Sequence, residues 1–279
     1  MVEKTLKSID ISSYTIISTG VATLLSILIS IIIVGVFAVA VPNSIGIMIY
    51  VVPTIVFGTL ISSIFLNFSY GYIYNVLSKR FGFIKFDIEE DYIKKISTKE
   101  TALIVGTTLL IIILVVYLAI SLILPLFLSS LMSLLMYASQ TDVAGFFYQI
   151  MFIISNPISI ATGIIGSVII TTVFTLLGTY IYNVLGDSER GILVKLTKED
   201  NITQLDSITP LNFAIALGAI SLILNIIIAI VLVISGAPIF NALTAVLLGF
   251  ISTFITALLI AVFYNFLAPK LGKLKVELD

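Results

Sequence analysis

Long apolar runs, broken at four-residue intervals by small or polar residues, recur three times along this chain. Asn75, Asn183 and Asn265 are each preceded by Tyr (Tyr74, Tyr182, Tyr264) and followed two residues later by Leu (Leu77, Leu185, Leu267). Counting back in fours from these asparagines gives Gly71, Asn67, Ser63 and Thr59 in the first copy. The second copy gives Thr179, Thr175, Thr171 and Ser167, and the third Ala261, Ala257, Thr253 and Gly249. The surrounding residues are mainly Ile, Leu, Val and Phe. A four-residue spacing lies close to the 3.6-residue helical turn, so each stripe runs along one helix face.

A bilayer core of ~30 Å takes about 20 apolar residues in a helix. Six stretches meet that length: roughly 14–41, 45–77, 102–124, 158–185, 211–235 and 239–267. They pair as helix A and helix B of three tandem units, residues 1–91, 92–200 and 201–279. Helix A is expected to start after Ile11-Ser12, Ile96-Ser97 and Ile208-Thr209, where a hydroxyl can cap it. Ser97-Thr-Lys-Glu100 reads as a capping box, and Pro210 suits a first helical position. Its ends are expected near Pro42, Pro125 and Pro238, because proline cannot continue the hydrogen-bond ladder.

After helix B, the tails from Gly82, Arg190 and Gly272 carry an apolar residue at every second position, which predicts short strands. Glycine at each corner supplies freedom for a left-handed turn. Lead-ins such as 4–11 are candidate partners for these strands. The middle unit carries an apolar, interrupted insertion, 126–156, expected to form interfacial helices or a re-entrant hairpin. The predicted fold is an all-α membrane protein: six transmembrane helices in a pseudo-threefold bundle, with short cytoplasmic β-strands. Two-span units repeat in one orientation, so the pseudo-symmetry axis should follow the membrane normal.

Composition strengthens the membrane reading. The chain is 59% hydrophobic and 10% charged, with a mean hydropathy of +1.23, against roughly 25% charged residues in soluble domains. All 14 Lys and Arg fall in segments 4–7, 79–99, 190–198 and 270–275. Basic residues mark the cytoplasmic side, which predicts a multi-pass protein of the cell membrane with both termini cytoplasmic. The opposite side carries one charge, Asp142. Ala38-Val-Ala40 resembles a signal-peptidase site, but the preceding apolar run exceeds a signal h-region of about 7–15 residues, so it is read as a mature span.

Cys, His and Trp are absent. Disulfides, thiolate or imidazole metal ligands and histidine acid–base chemistry are therefore excluded. No span contains Asp, Glu, Lys or Arg, whereas proton relays and voltage sensors need such groups. No catalytic, cofactor-binding or metal-binding set is predicted, and the chain is not expected to be an enzyme. A net charge of −1 implies no nucleic-acid partner. The acidic run Asp87-Ile-Glu-Glu-Asp91 reads as a solvated linker, since its spacing is not that of a calcium loop.

Tyr-Asn-x-Leu followed by glycine and an alternating strand resembles the end of a small two-helix transmembrane domain of unknown function. That domain is common in actinobacterial membrane proteins, where the end reads approximately YNLxxxxxGGIxVxL. Each copy here keeps one of the paired glycines: Gly82, Gly191 or Gly272. The resemblance implies a prokaryotic, membrane-embedded fold assembled from several copies and carries no reaction.

Two readings of the stripe follow. Small residues in every turn let helices approach closely, as in GxxxG-type crossings. The same positions could instead line a narrow polar path. Asn75, Asn183 and Asn265 read either as helix terminators, because asparagine tolerates the left-handed region, or as a ring of amides at the inner mouth. The adjoining tyrosines suit an interfacial belt. Asn225 reads as an interhelical hydrogen-bonding group, and Asn43, Asn156 and Asn241 as turn or N-cap residues. The expected role is a membrane scaffold or assembly subunit, partnered by the lipid bilayer and by another membrane protein or further copies of itself. The alternative is a passive channel or transporter for a small uncharged solute or ion.

Overall fold

Each pair of membrane helices is inserted between two short strands that pair with one another. In chain order these are β1 Val2–Ile9, α1 Ile11–Ala40, α2 Ile45–Phe81, β2 Ile84–Glu89, β3 Tyr92–Ile96 and α3 Thr98–Tyr137. There follow α4 Thr141–Ser155, α5 Pro157–Leu185, β4 Ile192–Glu199, β5 Ile202–Ile208, α6 Pro210–Ile234, α7 Ile239–Leu271 and β6 Leu274–Leu278. The structure, a computed structural model, describes residues 2–40, 45–137, 141–186, 191–199 and 201–279.

The six strands form a closed antiparallel barrel in the order β1-β2-β3-β4-β5-β6. Closure removes the edges that an open sheet would present. Within the modules, β1 pairs with β2, β3 with β4 and β5 with β6. The innermost partners are Leu6 with Ile84, Ile93 with Ile192 and Leu205 with Leu274. Three further ladders, β2–β3, β4–β5 and β6–β1, join one module to the next. Leu6, Lys94, Val194, Thr203 and Leu278 are buried on the strands. Ion pairs cross the barrel surface: Lys7–Asp279 at 2.5 Å, Lys85–Glu3 at 2.9 Å and Lys273–Asp206 at 2.7 Å. Hydrogen bonds from Lys273 and then Thr197 hold the Asp206 carboxyl below the usual carboxylate range.

Among the described residues, six helices are long and apolar enough to cross a membrane: α1, α2, α3, α5, α6 and α7. Many of their large side chains are exposed, among them Ile49, Phe57, Ile61, Ile169 and Leu247. Such exposure is costly in water and acceptable in lipid. α2 has 37 residues and α7 has 33, or about 55 and 50 Å at 1.5 Å per residue. Both exceed a ~30 Å hydrocarbon core, so their last turns can reach the strands beyond it.

Two compact units divide the chain. One comprises Met1–Thr101 with Thr175–Asp279, and so holds the barrel, both outer hairpins and the barrel-side ends of α3 and α5. In it α1 packs on α2, α6 on α7, and α1 on α7. Ile17 and Val21 meet Tyr264, Leu267 and Ala268 in an apolar cluster. The other unit, Ala102–Phe174, holds the remainder of α3, α4 and most of α5; there Gly106 lies against Thr172.

Several local expectations need correction. α3 does not stop at Pro125: the proline lies inside the helix, which continues to Tyr137. Loss of one backbone bond is tolerated in a membrane helix when neighbouring groups take up the freed carbonyl. The insertion 126–156 is therefore the end of α3 followed by α4, whose 15 residues cover about 22 Å and cannot span. α1 is capped by Asp10 rather than Ser12, with the Ser13 N–H donating to Asp10 Oδ1 at 2.7 Å. Ser97 does not form the expected box, because its hydroxyl accepts the Lys85 N–H of β2 at 3.1 Å.

The acidic run is not a linker: Asp87 and Glu89 are in β2, and Glu90 and Asp91 form the two-residue turn to β3 at φ 48° and 66°. Positive φ at both turn residues matches the twist of a hairpin and is costly for side chains other than Gly, Asn or Asp. Gly82 and Gly272 do adopt the positive φ expected at the helix-to-strand corner, 94° and 104°. Gly191 serves differently: a Cβ there would run into the Ile93 carbonyl of β3. Pro42, Asn43 and Arg190 lie outside the described residues.

Barrel closure can be tested by covalent trapping. Thr5 and Asp279 exchange both backbone bonds, at 2.9 and 3.1 Å, which places their Cα atoms about 5.5 Å apart, within disulfide range. In this cysteine-free chain, Thr5→Cys with Asp279→Cys should form one intramolecular disulfide, seen as a reducible mobility shift of the monomer. Exclusively intermolecular crosslinks would contradict a barrel closed within one chain.

Candidate functional site

A strand that leaves a sheet to become a helix exposes its last peptide groups to loss of pairing. Ile9, Ile96 and Ile208 are the final residues of β1, β3 and β5, and each is held by an asparagine from helix B. Asn75 Oδ1 accepts the Ile9 N–H at 2.8 Å while its Nδ2 donates to the Ile9 carbonyl at 2.8 Å. Asn183 does the same for Ile96 at 2.8 and 2.9 Å, with a further bond to Thr98 Oγ1 at 3.3 Å. Asn265 holds Ile208 at 2.9 and 2.7 Å. Only a neutral amide offers a donor and an acceptor side by side in this way, so the side chain acts as one more strand residue.

The adjoining tyrosines work one rung deeper. Tyr74, Tyr182 and Tyr264 donate to the carbonyls of Leu6, Ile93 and Leu205, each at 2.5 Å. Tyr182 and Tyr264 also accept the N–H groups of Ile192 and Leu274 at 3.2 Å. These are the innermost strand pairs of the three modules. Each hydroxyl is therefore wedged into the ladder where two strands diverge towards their helices. Asn75 and Asn265 do not terminate their helices, since α2 runs on to Phe81 and α7 to Leu271. Their amides are taken up by strand backbone.

The four-residue stripe lies mostly on covered surface. In α2, Gly71 is buried, and Asn67, Ser63 and Thr59 are half-buried. A Cβ at Gly71 would touch the Tyr14 ring at 3.4 Å and the Ile11 backbone at 3.7 Å, and Asn67 Nδ2 donates to Thr19 Oγ1 at 3.2 Å. Thus the Gly71 and Asn67 end of the first stripe faces α1. In α5, Thr171, Thr175 and Thr179 are half-buried and Ser167 is exposed. The Thr179 hydroxyl bonds back to the Thr175 carbonyl, and that of Ser167 to Gly163, each at 2.7 Å.

The third stripe faces α6. Ala257 and Ala261 are buried, and Thr253 Oγ1 donates to Ser221 Oγ at 2.9 Å. Ser221 Oγ donates in turn to the Gly249 carbonyl at 3.3 Å. Asn225 Nδ2 donates to the Ser221 carbonyl and hydroxyl at 2.8 and 3.0 Å. The Asn225 amide fills the space that a Cβ on Gly249 would need, with its nitrogen 2.6 Å from that position. Asn156 caps α5, accepting the Ile158 N–H at 3.1 Å, while Asn241 is exposed in the first turn of α7. Among the described residues, no group of three or more His, Cys, Asp or Glu is placed to hold a metal.

Two sets of positions escaped the sequence reading. On helix A, counting from the clasped isoleucines, the eighth residue is Ile17, Ile104 or Ala216 and the tenth is Thr19, Gly106 or Gly218; all six are buried. Aligning the first copy on Ile11 instead of Ile9 displaced this pattern by two residues. Four residues after each clasp tyrosine stand Ser78, Gly186 and Ala268, again small and buried. This signal was present in the sequence but lies one residue off the stripe.

Asn265→Leu would leave two backbone groups unpaired, at about 1–3 kcal/mol each, and should lower unfolding stability in detergent by roughly 2–5 kcal/mol. Asn265→Asp should not rescue it, because a carboxylate would face the Ile208 carbonyl. Gly249→Ala must displace Asn225 and should destabilise the protein, whereas Gly58→Ala, with nothing within 4 Å of its Cβ, should be neutral or slightly stabilising in the same melts. Comparison of the chain with protein-family models, with curated proteins and with solved structures finds no match.

Proposed function

We propose that this protein is a non-enzymatic membrane scaffold or assembly subunit, built as three fused β–α–α–β modules in a pseudo-threefold bundle. In this reading the barrel and both termini lie on the cytoplasmic face, where the basic residues of 4–7, 79–99, 190–198 and 270–275 meet the membrane surface. The resemblance to the two-helix transmembrane domain belongs to the same proposal.

The observation that carries it is the fate of the polar stripe. Asn67 and Thr253 spend their hydrogen bonds on the other helix of their own hairpin, while Asn225 bonds within α6 and Thr179 within α5. Groups so engaged favour packing over solvation of a permeant. The three inner asparagines are bonded to strand backbone, which supports a structural role at the barrel mouth. The segment 126–156, beyond the symmetric part of the middle module, is the proposed contact for a membrane-protein partner.

Flux measurements separate this from a permeation path. Purified protein in vesicles should pass glycerol and potassium no faster than protein-free vesicles. A flux that Thr175→Leu abolishes, with fold and expression retained, would replace the scaffold by the channel reading. For the scaffold itself, deletion of 126–156 should change the set of membrane proteins that co-purify, and an unchanged set would count against it.

A further inference from the structure

Three ladders join the modules, and a turn supports only two of them. β2 passes to β3 through Glu90 and Asp91, and β5 begins at Ile202, three residues after β4 ends at Glu199. No turn joins β6 to β1, which are the last and the first strands in sequence order. Yet the third ladder reproduces the other two residue for residue. Ile9 faces Val276 as Ile96 faces Phe86 and Ile208 faces Val194. Ser8 faces Glu277, Lys95 faces Asp87, and Ser207 faces Lys195.

The register then shifts by one residue in all three, at Lys7, Lys94 and Asp206, before Leu6 meets Leu278, Ile93 meets Ile88 and Leu205 meets Leu196. Beyond the strands, the Asp10, Ser97 and Thr209 N–H groups donate to the carbonyls of Lys275, Lys85 and Leu193 at 3.0, 2.9 and 2.9 Å. A bulge is a specific two-against-one arrangement, not a default of strand pairing. Its recurrence where no turn sets the register means that the strand edges themselves select it. The Glu90-Asp91 turn is also a weak constraint, because it holds a glutamate in the left-handed region.

We infer that the strand edge between modules is a self-sufficient docking surface whose fitting partner is another β–α–α–β module, so that the chain is a covalently fused trimer. The linkage at Glu90–Asp91 is dispensable once the modules have met. This does not rest on the scaffold reading, because its readouts are assembly and stability rather than flux or partners.

The full-length chain carrying a protease site between Glu90 and Asp91 should be purified in mild detergent and then cut. Fragments 1–90 and 91–279 should elute together as one species, with an unfolding midpoint within a few degrees of the uncut protein. Because helix packing could also hold cut pieces, a second variant addresses the ladder alone. It joins Asp279 to Val2 through a flexible linker and opens the chain at Glu90–Asp91, so that the unconnected ladder becomes β2–β3. It should fold to a monomer of similar stability. Separation of the cut fragments would overturn the inference. So would a permuted chain that fails to fold, or melts far lower, beside a stable parent.

Discussion

Everything in this molecule turns on one peptide group per module. A β-strand obtains its hydrogen bonds from a neighbour, and a helix obtains them from itself, so the last residue before the change of partner is served by neither. Where such a group is shielded from water, an unmatched N–H or C=O is costly. Asn75, Asn183 and Asn265 solve this identically, presenting an amide that pairs both groups of Ile9, Ile96 and Ile208. The neighbouring tyrosine hydroxyl fills the splay between the departing strands. Because Tyr and Asn sit on helix B and their targets precede helix A, the clasp also fixes where the two helices of a hairpin emerge.

Away from the barrel, a different force must hold the helices. Lipid tails are as apolar as leucine, so burial alone does not drive helices together; contact area and hydrogen bonds do. The small residues of the stripe supply the first, as at Gly71 against Tyr14 and Gly249 against Asn225. The bonds from Asn67 to Thr19 and from Thr253 to Ser221 supply the second. A hydroxyl already bonded across its own hairpin is poorly placed to replace the hydration of a moving solute.

Triplication has a structural consequence that a single module could not meet. Two strands make a hairpin with two open edges, whereas six close on themselves. The register of the closing β6–β1 ladder equals that of the two turn-connected ladders, bulge included. The barrel is therefore specified by side chains and backbone geometry repeated in each module rather than by the connections. Lys7, Lys94 and Asp206 occupy the bulge with different charges, so the position tolerates variation while the backbone arrangement does not change.

Local periodicity was readable directly from the residues. Six apolar runs, the Tyr-Asn-x-Leu recurrence, the four-residue stripe and the alternation of the tails each reflect a repeat of 3.6 or 2 residues along a single element, and a single element's pattern is carried by its own side chains. Pro210 at the first turn of α6 and glycine at the corners after α2 and α7 were legible for the same reason. What depended on partners distant in the chain was not. Nothing within β1 announces that it meets β6, that Asp10 rather than Ser12 caps α1, or that α3 continues through Pro125. The targets of the three asparagines were equally hidden, because a side chain's hydrogen-bond partner is chosen by which backbone groups the assembled sheet leaves unpaired.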